Sequence, residues 1–166
     1  MAYRLAAERS DRIAAVAAVA GGMMVDAFAP GRPVAVMHIH SVDDPRALYS
    51  GGLGPPFPFT NKRVNHPPVE KTLERWISFD RCPSQAVASP TLRGRPGSSD
   101  EGNSATKVVY GPCSGGAEVV LWKLTGSGHV WPGGVRDRYK RPLGRSTDLI
   151  DADEEIWEFF ARFTLP

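Results

Sequence analysis

The sequence predicts an α/β fold, in which a mostly parallel sheet is flanked by helices. Two apolar runs, at 13–20 and 33–40, are continuous rather than alternating, which is typical of parallel strands buried on both faces. Stretches with helical periodicity lie on either side of these runs and at the end of the chain. With 166 residues, of which 42% are apolar, the chain is long enough to form a single domain, 1–166.

The first half of the chain is expected to contain two helices and two strands. Residues 1–9 are predicted as a helix, and 13–20 and 33–40 as strands. Residues 69–79 form a second helix, because their apolar side chains recur on one face. The segment 51–68 is dense in glycine and proline, and we interpret it as a long surface loop.

The second half begins with a polar segment, 83–105, which we interpret as a long, mobile surface loop. Residues 106–110 and 117–124 are predicted as two strands of a hairpin. Residues 151–163 are predicted as a helix with an aromatic buried face. That face is expected to contain Ile156, Trp157, Phe159, Phe160 and Phe163.

Charge and hydropathy exclude two classes of partner. The net charge is +2, with 20 basic and 18 acidic residues mixed along the chain, whereas nucleic-acid binders concentrate basic residues in a patch. No apolar run reaches the roughly 18 residues that a membrane span needs. We therefore expect neither a nucleic-acid partner nor a membrane.

The start of the chain lacks the usual signals of an N-terminus. The first helix has no Ser, Thr, Asp or Asn before it to cap it, and no signal-peptide pattern is present. We therefore expect the chain to be a truncated form of a longer protein.

Acidic and basic side chains follow two of the predicted strands. Asp43 and Asp44 come after the strand 33–40, and His129 comes after 117–124, in a turn flanked by glycine. Ligands of α/β folds bind beyond the carboxyl ends of parallel strands. A histidine base oriented by a carboxylate activates a nucleophile in acyl transfer, and the order acid before histidine is that of α/β-hydrolases. Which of the two aspartates is the acid stays open at this point.

Structural roles compete with this interpretation. His129 could be a loop histidine, and Asp44 could cap the turn that its Asp-Pro sequence favours. His38 and His40 would point to one face of their strand and, with His66, could bind a metal ion. We favour core packing and a backbone hydrogen bond for the histidine pair, and so predict no metal site.

The two cysteines, Cys82 and Cys113, leave two possibilities. They could be unrelated buried thiols. Alternatively, they could form a disulfide that closes a loop of about 30 residues and stabilises the fold by on the order of 3–4 kcal/mol.

Several motifs together resemble a known family. They are the segment 1–17, His38-Ile39-His40 with Asp44-Pro45 and Tyr49-Ser50-Gly51-Gly52, Gly128-His129-Val130-Trp131-Pro132-Gly133-Gly134, and Ile156-Trp157-Glu158-Phe159-Phe160. In this order they are similar to the polyhydroxybutyrate depolymerase-like and feruloyl esterase-like family of α/β-hydrolases. The resemblance covers nearly the whole chain.

The resemblance implies the C-terminal portion of an α/β-hydrolase fold, with the N-terminal strands and the nucleophile elbow absent. It implies a secreted or periplasmic carboxylic ester hydrolase that needs no cofactor and acts on a small-molecule or polymeric ester. The missing strands would leave an exposed sheet edge, through which the chain could form a homo-oligomer.

The resemblance also implies roles for individual residues. His129 would be the catalytic base and Asp44 the acid of the triad. Trp131 and His40 would contact the substrate. Cys82 and Cys113 would form a disulfide.

The chain contains no Gly-x-Ser-x-Gly elbow, which the family would carry about five residues before the position of Met1. Ser127 and Ser104 are the alternative nucleophiles, although neither lies in the strand–turn–helix setting of an elbow. Whether this chain alone is active therefore stays open. The alternative function is a non-catalytic module that binds esters or aromatic groups.

Overall fold

The structure is a computed structural model that describes residues 1–134 and 143–165. It is an α/β fold with helices packed on a mixed sheet. The α-helices of the described residues are α1 (Ala2–Glu8), α2 (Val69–Phe79) and α3 (Ala152–Phe160). None of the helices in these ranges is both long and apolar enough to cross a lipid bilayer.

The strands form one six-stranded sheet and one separate pair. In chain order they are β1 (Ala15–Val19), β2 (Ala35–Ser41), β3 (Gly52–Leu53), β4 (Asn65–His66), β5 (Val87–Ala88), β6 (Leu92–Arg93), β7 (Ser104–Tyr110) and β8 (Val119–Thr125). The large sheet has the order β1-β2-β8-β7-β5, with β6 also paired to β7. The strands β1, β2 and β8 are parallel, whereas β7 runs antiparallel to β8, as the predicted hairpin requires.

The core lies on both faces of the sheet, which explains the continuous apolar runs. All seven residues of β2 are buried. Val36 on one face packs in a cluster with Tyr3 of α1 and Trp76 of α2. Met37 on the other face packs in a cluster with Phe159 of α3. The sheet is therefore a middle layer between helices, as in α/β folds generally.

The C-terminal helix has a narrower buried face than predicted. Its N-cap is Asp151, whose carboxylate accepts hydrogen bonds from the backbone of Asp153 and Glu154. Phe159 is buried, but Trp157 is 75% exposed and Phe160 is 36% exposed. The prediction that both of these aromatic residues belong to the core was wrong. Trp157 precedes Phe159 by two residues, which correspond to a rotation of about 200° around the helix, so the two rings lie on opposite faces.

Two predicted loops contain short strands. The segment 51–68 holds the antiparallel pair β3–β4, and 83–105 holds β5 and β6, which both pair with β7. The segment 83–105, which was predicted as a mobile surface loop, thus also contributes two short strands to the sheet. Strands of two residues are too short to show the alternation by which a strand is recognised in a sequence.

A disulfide joins Cys82 and Cys113, which are separated by 31 residues. It ties the end of α2 to the connection between β7 and β8. The structure therefore selects the bridge over the pair of unrelated thiols.

Candidate active site

The structure brings Asp44 and His129 into direct contact. Nδ1 of His129 lies 2.8 Å from Oδ2 of Asp44. Because β2 and β8 are parallel neighbours, with Ser41 paired to Leu124, the segments that follow them leave the same edge of the sheet. The contact therefore forms beyond the carboxyl ends of two adjacent strands, where α/β folds bind ligands.

Asp44 is held on both carboxylate oxygens. Oδ1 accepts hydrogen bonds from the backbone N–H groups of Arg46 at 2.7 Å and Ala47 at 2.8 Å. Oδ2 accepts from His129 and lies 3.4 Å from Nε2 of His40. Burial raises the pKa of Asp44, but the hydrogen bonds from His129, His40 and Arg46 outweigh this effect, and the pKa lies below its usual range. Asp44 is therefore ionised at neutral pH although its side chain is fully buried.

The charge of Asp44 decides the tautomer of His129. An ionised carboxylate can only accept hydrogen bonds, so Nδ1 of a neutral His129 carries the proton. Nε2 then carries no proton and has a lone pair that can accept one. The His129 side chain is 36% exposed, in contrast to the buried Asp44. This arrangement of an exposed base and a buried carboxylate is the one that general-base catalysis requires.

The turn around His129 requires glycine at position 128. The backbone N–H groups of Gly128 and His129 donate to the carbonyl oxygens of Arg145 and Leu143, at 2.9 and 2.6 Å. A Cβ atom on Gly128 would lie only 2.0 Å from the Leu143 carbonyl oxygen. The glycine thus permits the close approach of the two backbone segments that holds His129 in place.

Asp43 is bound elsewhere. Its Oδ2 accepts a hydrogen bond from the backbone of Gly126 at 2.7 Å, and it makes no hydrogen bond to His129. Of the two aspartates that the sequence left open, the structure brings Asp44 to the histidine.

The two residues predicted to contact substrate lie in different surroundings. Trp131 is 47% exposed, and its indole N–H donates to Asp153 at 3.2 Å, so its ring is held at the surface. His40 is buried, and its two ring nitrogens contact His38 and the Ala47 carbonyl. The structure therefore places His40 in the interior beside Asp44. In this buried position its side chain cannot contact a bound ligand.

Neither alternative nucleophile contacts His129. The hydroxyl of Ser104 is hydrogen-bonded to that of Thr125. Ser127 is 1% exposed, and its carbonyl oxygen accepts a hydrogen bond from Ser41 at 2.5 Å. Among residues 1–134 and 143–165, no serine hydroxyl donates to His129.

His38 and His40 of β2 form a pair inside the core. His38 and His40 contact one another through ring nitrogens, as the interpretation as a core pair with a backbone hydrogen bond predicted. No cluster of potential ligands suited to a metal ion occurs in the described part of the chain. His66 nevertheless lies close enough to the site for the charges of Asp44, His40 and His129 to act on it, while burial is the main cause that lowers its pKa.

Two residues beside the site had no role in the sequence analysis. The Tyr3 hydroxyl donates to Nδ1 of His38 at 2.6 Å, across 35 positions of sequence. Ser41 links the end of β2 to the backbone of Ser127. Both contacts join distant segments, so no local pattern in the sequence indicates them.

No family model matches the chain. The chain is 32% identical over 162 residues to NocK of Nocardia uniformis subsp. tsuyamanensis, which is named as an esterase; the match covers 94% of this chain and 46% of that protein. It is 26% identical over 163 residues to the bifunctional acetylxylan esterase/xylanase XynS20E of Neocallimastix patriciarum, with 98% of this chain and 18% of that protein covered. The chain therefore resembles esterases along almost its whole length, and it spans less than half the length of these two relatives.

Proposed function

We propose that this chain supplies the catalytic base and acid of a carboxylic ester hydrolase. The observation that carries the proposal is the contact between Asp44 and His129, in which a buried, ionised carboxylate fixes the proton on Nδ1 and leaves Nε2 without a proton. The similarity to two relatives named as esterases supports the same class of reaction.

In the proposed reaction, Nε2 of His129 takes the proton of an attacking hydroxyl group. The oxygen of that group forms a bond to the ester carbonyl carbon, and Asp44 stabilises the imidazolium that results. The tetrahedral intermediate then breaks its bond to the alcohol oxygen. The proton on Nε2 goes to the departing alcohol, which regenerates neutral His129. Where the attacking hydroxyl belongs to a serine, a water molecule activated by His129 then cleaves the acyl–serine bond, releases the acid and restores the hydroxyl.

The family resemblance extends the proposal to a serine esterase of the polyhydroxyalkanoate depolymerase or feruloyl esterase type, with this chain as the C-terminal portion of its α/β-hydrolase fold. The nucleophile would then be a serine on an elbow that Ser127 and Ser104 do not provide. The relative named as an acetylxylan esterase supports acetyl esters as a further candidate substrate. The half-exposed ring of Trp131, two residues from the base, would pack against the acyl or aryl group.

The disulfide between Cys82 and Cys113 supports a secreted or periplasmic location for the complete protein, because disulfides persist in oxidising compartments. The reaction as proposed involves no cofactor.

The first test is hydrolysis of 4-nitrophenyl acetate by the purified chain and by His129→Ala. The 4-nitrophenolate of this ester is a good leaving group. The ester therefore reacts with weak nucleophiles, and we expect His129 to activate even a bound water molecule for attack. We expect the wild type to release 4-nitrophenolate at a rate at least ten times that of the variant. Equal rates for the two folded proteins would contradict the proposal.

A second candidate function is binding of an ester or aromatic ligand without turnover. It is favoured by one observation, that no serine hydroxyl of the described residues reaches His129. A folded chain that shows no hydrolysis, but whose tryptophan fluorescence saturates with an aromatic ester in the wild type and not in Trp131→Ala, would establish this function instead.

A further inference from the structure

A buried chain of hydrogen bonds leads from α1 to the Ala47 carbonyl, beside the carboxylate of Asp44. The Tyr3 oxygen lies 2.6 Å from Nδ1 of His38, and Nε2 of His38 lies 2.8 Å from Nδ1 of His40. Nε2 of His40 lies 2.8 Å from the Ala47 carbonyl oxygen and 3.4 Å from Oδ2 of Asp44. Tyr3, His38, His40 and Asp44 are all buried, with 1–4% of their surface exposed.

The Ala47 carbonyl fixes the direction of every bond in this chain. A carbonyl oxygen can only accept, so Nε2 of His40 carries a proton, and Nδ1 of a neutral His40 must accept from His38. Nε2 of His38 is then the donor, and Nδ1 of His38 must accept in turn. The hydroxyl of Tyr3 is the donor that meets this requirement. With neutral rings, one set of tautomers satisfies all three bonds.

Tyr3 and His38 keep these protonation states near neutral pH. Burial raises the pKa of Tyr3, so its phenol stays protonated and can donate. Burial, followed by the charge of His40, lowers the pKa of His38 to about 3. His38 is therefore a neutral connector between a fixed donor and His40.

We propose that Tyr3 and His38 are positioning residues for the Asp44–His129 pair. Through His40 they hold an N–H group that donates to the Ala47 carbonyl and lies 3.4 Å from Oδ2 of Asp44, the same oxygen that accepts from His129. His40 thereby fixes Ala47, whose backbone N–H donates, with that of Arg46, to Oδ1 of Asp44 and keeps the carboxylate turned toward His129. The importance of this arrangement for catalysis rests on the proposed function, whereas the hydrogen bonds can be measured without turnover.

The test is ¹⁵N NMR spectroscopy of the histidine rings in the purified chain. The chain has four histidines, His38, His40, His66 and His129, so single substitutions suffice to assign the signals. At neutral pH we expect His38 and His40 to carry the proton on Nε2. His129 is expected to carry it on Nδ1, with a downfield proton resonance that disappears in Asp44→Asn. A proton on Nδ1 of either His38 or His40 would overturn the proposal without any further variant.

The decisive variant is Tyr3→Phe, which removes one oxygen atom and keeps the ring that stacks on His38 and Trp76. We expect the ratio of the two His38 tautomers to move about fivefold or more toward Nδ1–H, since a typical hydrogen bond is lost. The Nδ1 proton resonance of His129 should move upfield. Unchanged signals of His38 and His129 in folded Tyr3→Phe would show that Tyr3 only fills space.

Tyr49→Phe is the matched control. The ring of Tyr49 also contacts His40, edge to face, but its hydroxyl donates to Glu70 at the surface. We expect wild-type histidine signals in this variant, and a change equal to that of Tyr3→Phe would contradict the proposal. The ester assay tests the proposed function independently. If the chain is inactive but His38 and His40 show the expected tautomers, the proposed function fails and the positioning of Asp44 stands.

Discussion

Two buried aspartates show how the same residue acquires opposite properties from its surroundings. Asp44 has hydrogen-bond donors on both carboxylate oxygens, and its pKa falls below the usual range. Asp80 at the end of α2 is equally buried, but burial raises its pKa to about 7, and the backbone N–H of Val34 offsets this only in part. At the scale of the residue, the number of donors separates a carboxylate suited to catalysis from one that destabilises the fold.

The raised pKa of Asp80 predicts a pH-dependent stability. Between the unfolded value of 3.8 and the folded value of about 7, the folded state binds more protons, so the contribution of Asp80 to stability is lost as the pH rises through this range. Asp80→Asn is therefore expected to raise the free energy of unfolding by about 1–3 kcal/mol at pH 8. At pH 4 the gain should vanish.

Urea denaturation of the wild type and Asp80→Asn at both pH values measures this difference. Comparison at equal pH removes the opposite effect of His38, whose lowered pKa reduces stability as the pH falls from 6.5 toward 3. A stabilisation of the same size at pH 4 and pH 8 would show that ionisation of Asp80 is not the cause.

At the scale of the element, α3 shows that an aromatic sequence does not make an entire helix face apolar. Phe159 fills the core against β2, while Trp157 on the same helix faces solvent. The stability that each ring contributes should differ accordingly, since burial rather than residue type determines it.

The prediction for α3 uses two substitutions of the same kind. Phe159→Ala should lower the free energy of unfolding by about 3–5 kcal/mol, as expected for a buried aromatic residue. Trp157→Ala should change it by less than about 1 kcal/mol. Thermal or urea denaturation provides both values, and similar losses in the two variants would contradict the assigned faces.

These elements also show what the sequence could predict. The continuous runs in β1 and β2, the period of α2 and the glycine before His129 were sufficient to place the helices, the parallel strands and the two ends that meet at the site. The two-residue strands β5 and β6 were not predictable, because they depend on pairing with β7. The contact of Tyr3 with His38 likewise depends on packing between segments 35 positions apart.

At the scale of the whole molecule, β1 is an outer strand of the sheet. The bonds from the backbone of Ala20 to Ile39 and from Ala35 to Ala14 show that even-numbered residues around β1 face β2. The N–H and C=O groups of Ala17 therefore point away from the sheet, and no strand of the described residues pairs with them. We propose that, in the chain of 166 residues taken by itself, a second copy pairs with this edge.

The proposal predicts a dimer in which Ala17→Pro is monomeric. Proline removes one outward N–H and is tolerated where that group makes no bond within the sheet. Light scattering after size-exclusion chromatography measures the mass, and circular dichroism confirms that the variant is folded. A monomeric wild type, or a variant with an unchanged dimer mass, would rule out pairing through β1.

The central claim is that His129 acts as the base in ester hydrolysis and that Asp44 orients it and stabilises its charged form. The most direct measurement compares the hydrolysis of 4-nitrophenyl acetate by the wild type, Asp44→Asn and Asp43→Asn. Asp43 is the neighbouring carboxylate that makes no bond to His129, so the two variants differ mainly in that contact. We predict that Asp44→Asn loses activity about tenfold or more, as His129→Ala does, and that Asp43→Asn stays within a few-fold of the wild type. Equal losses in the two folded variants, or no loss in Asp44→Asn, would contradict the claim.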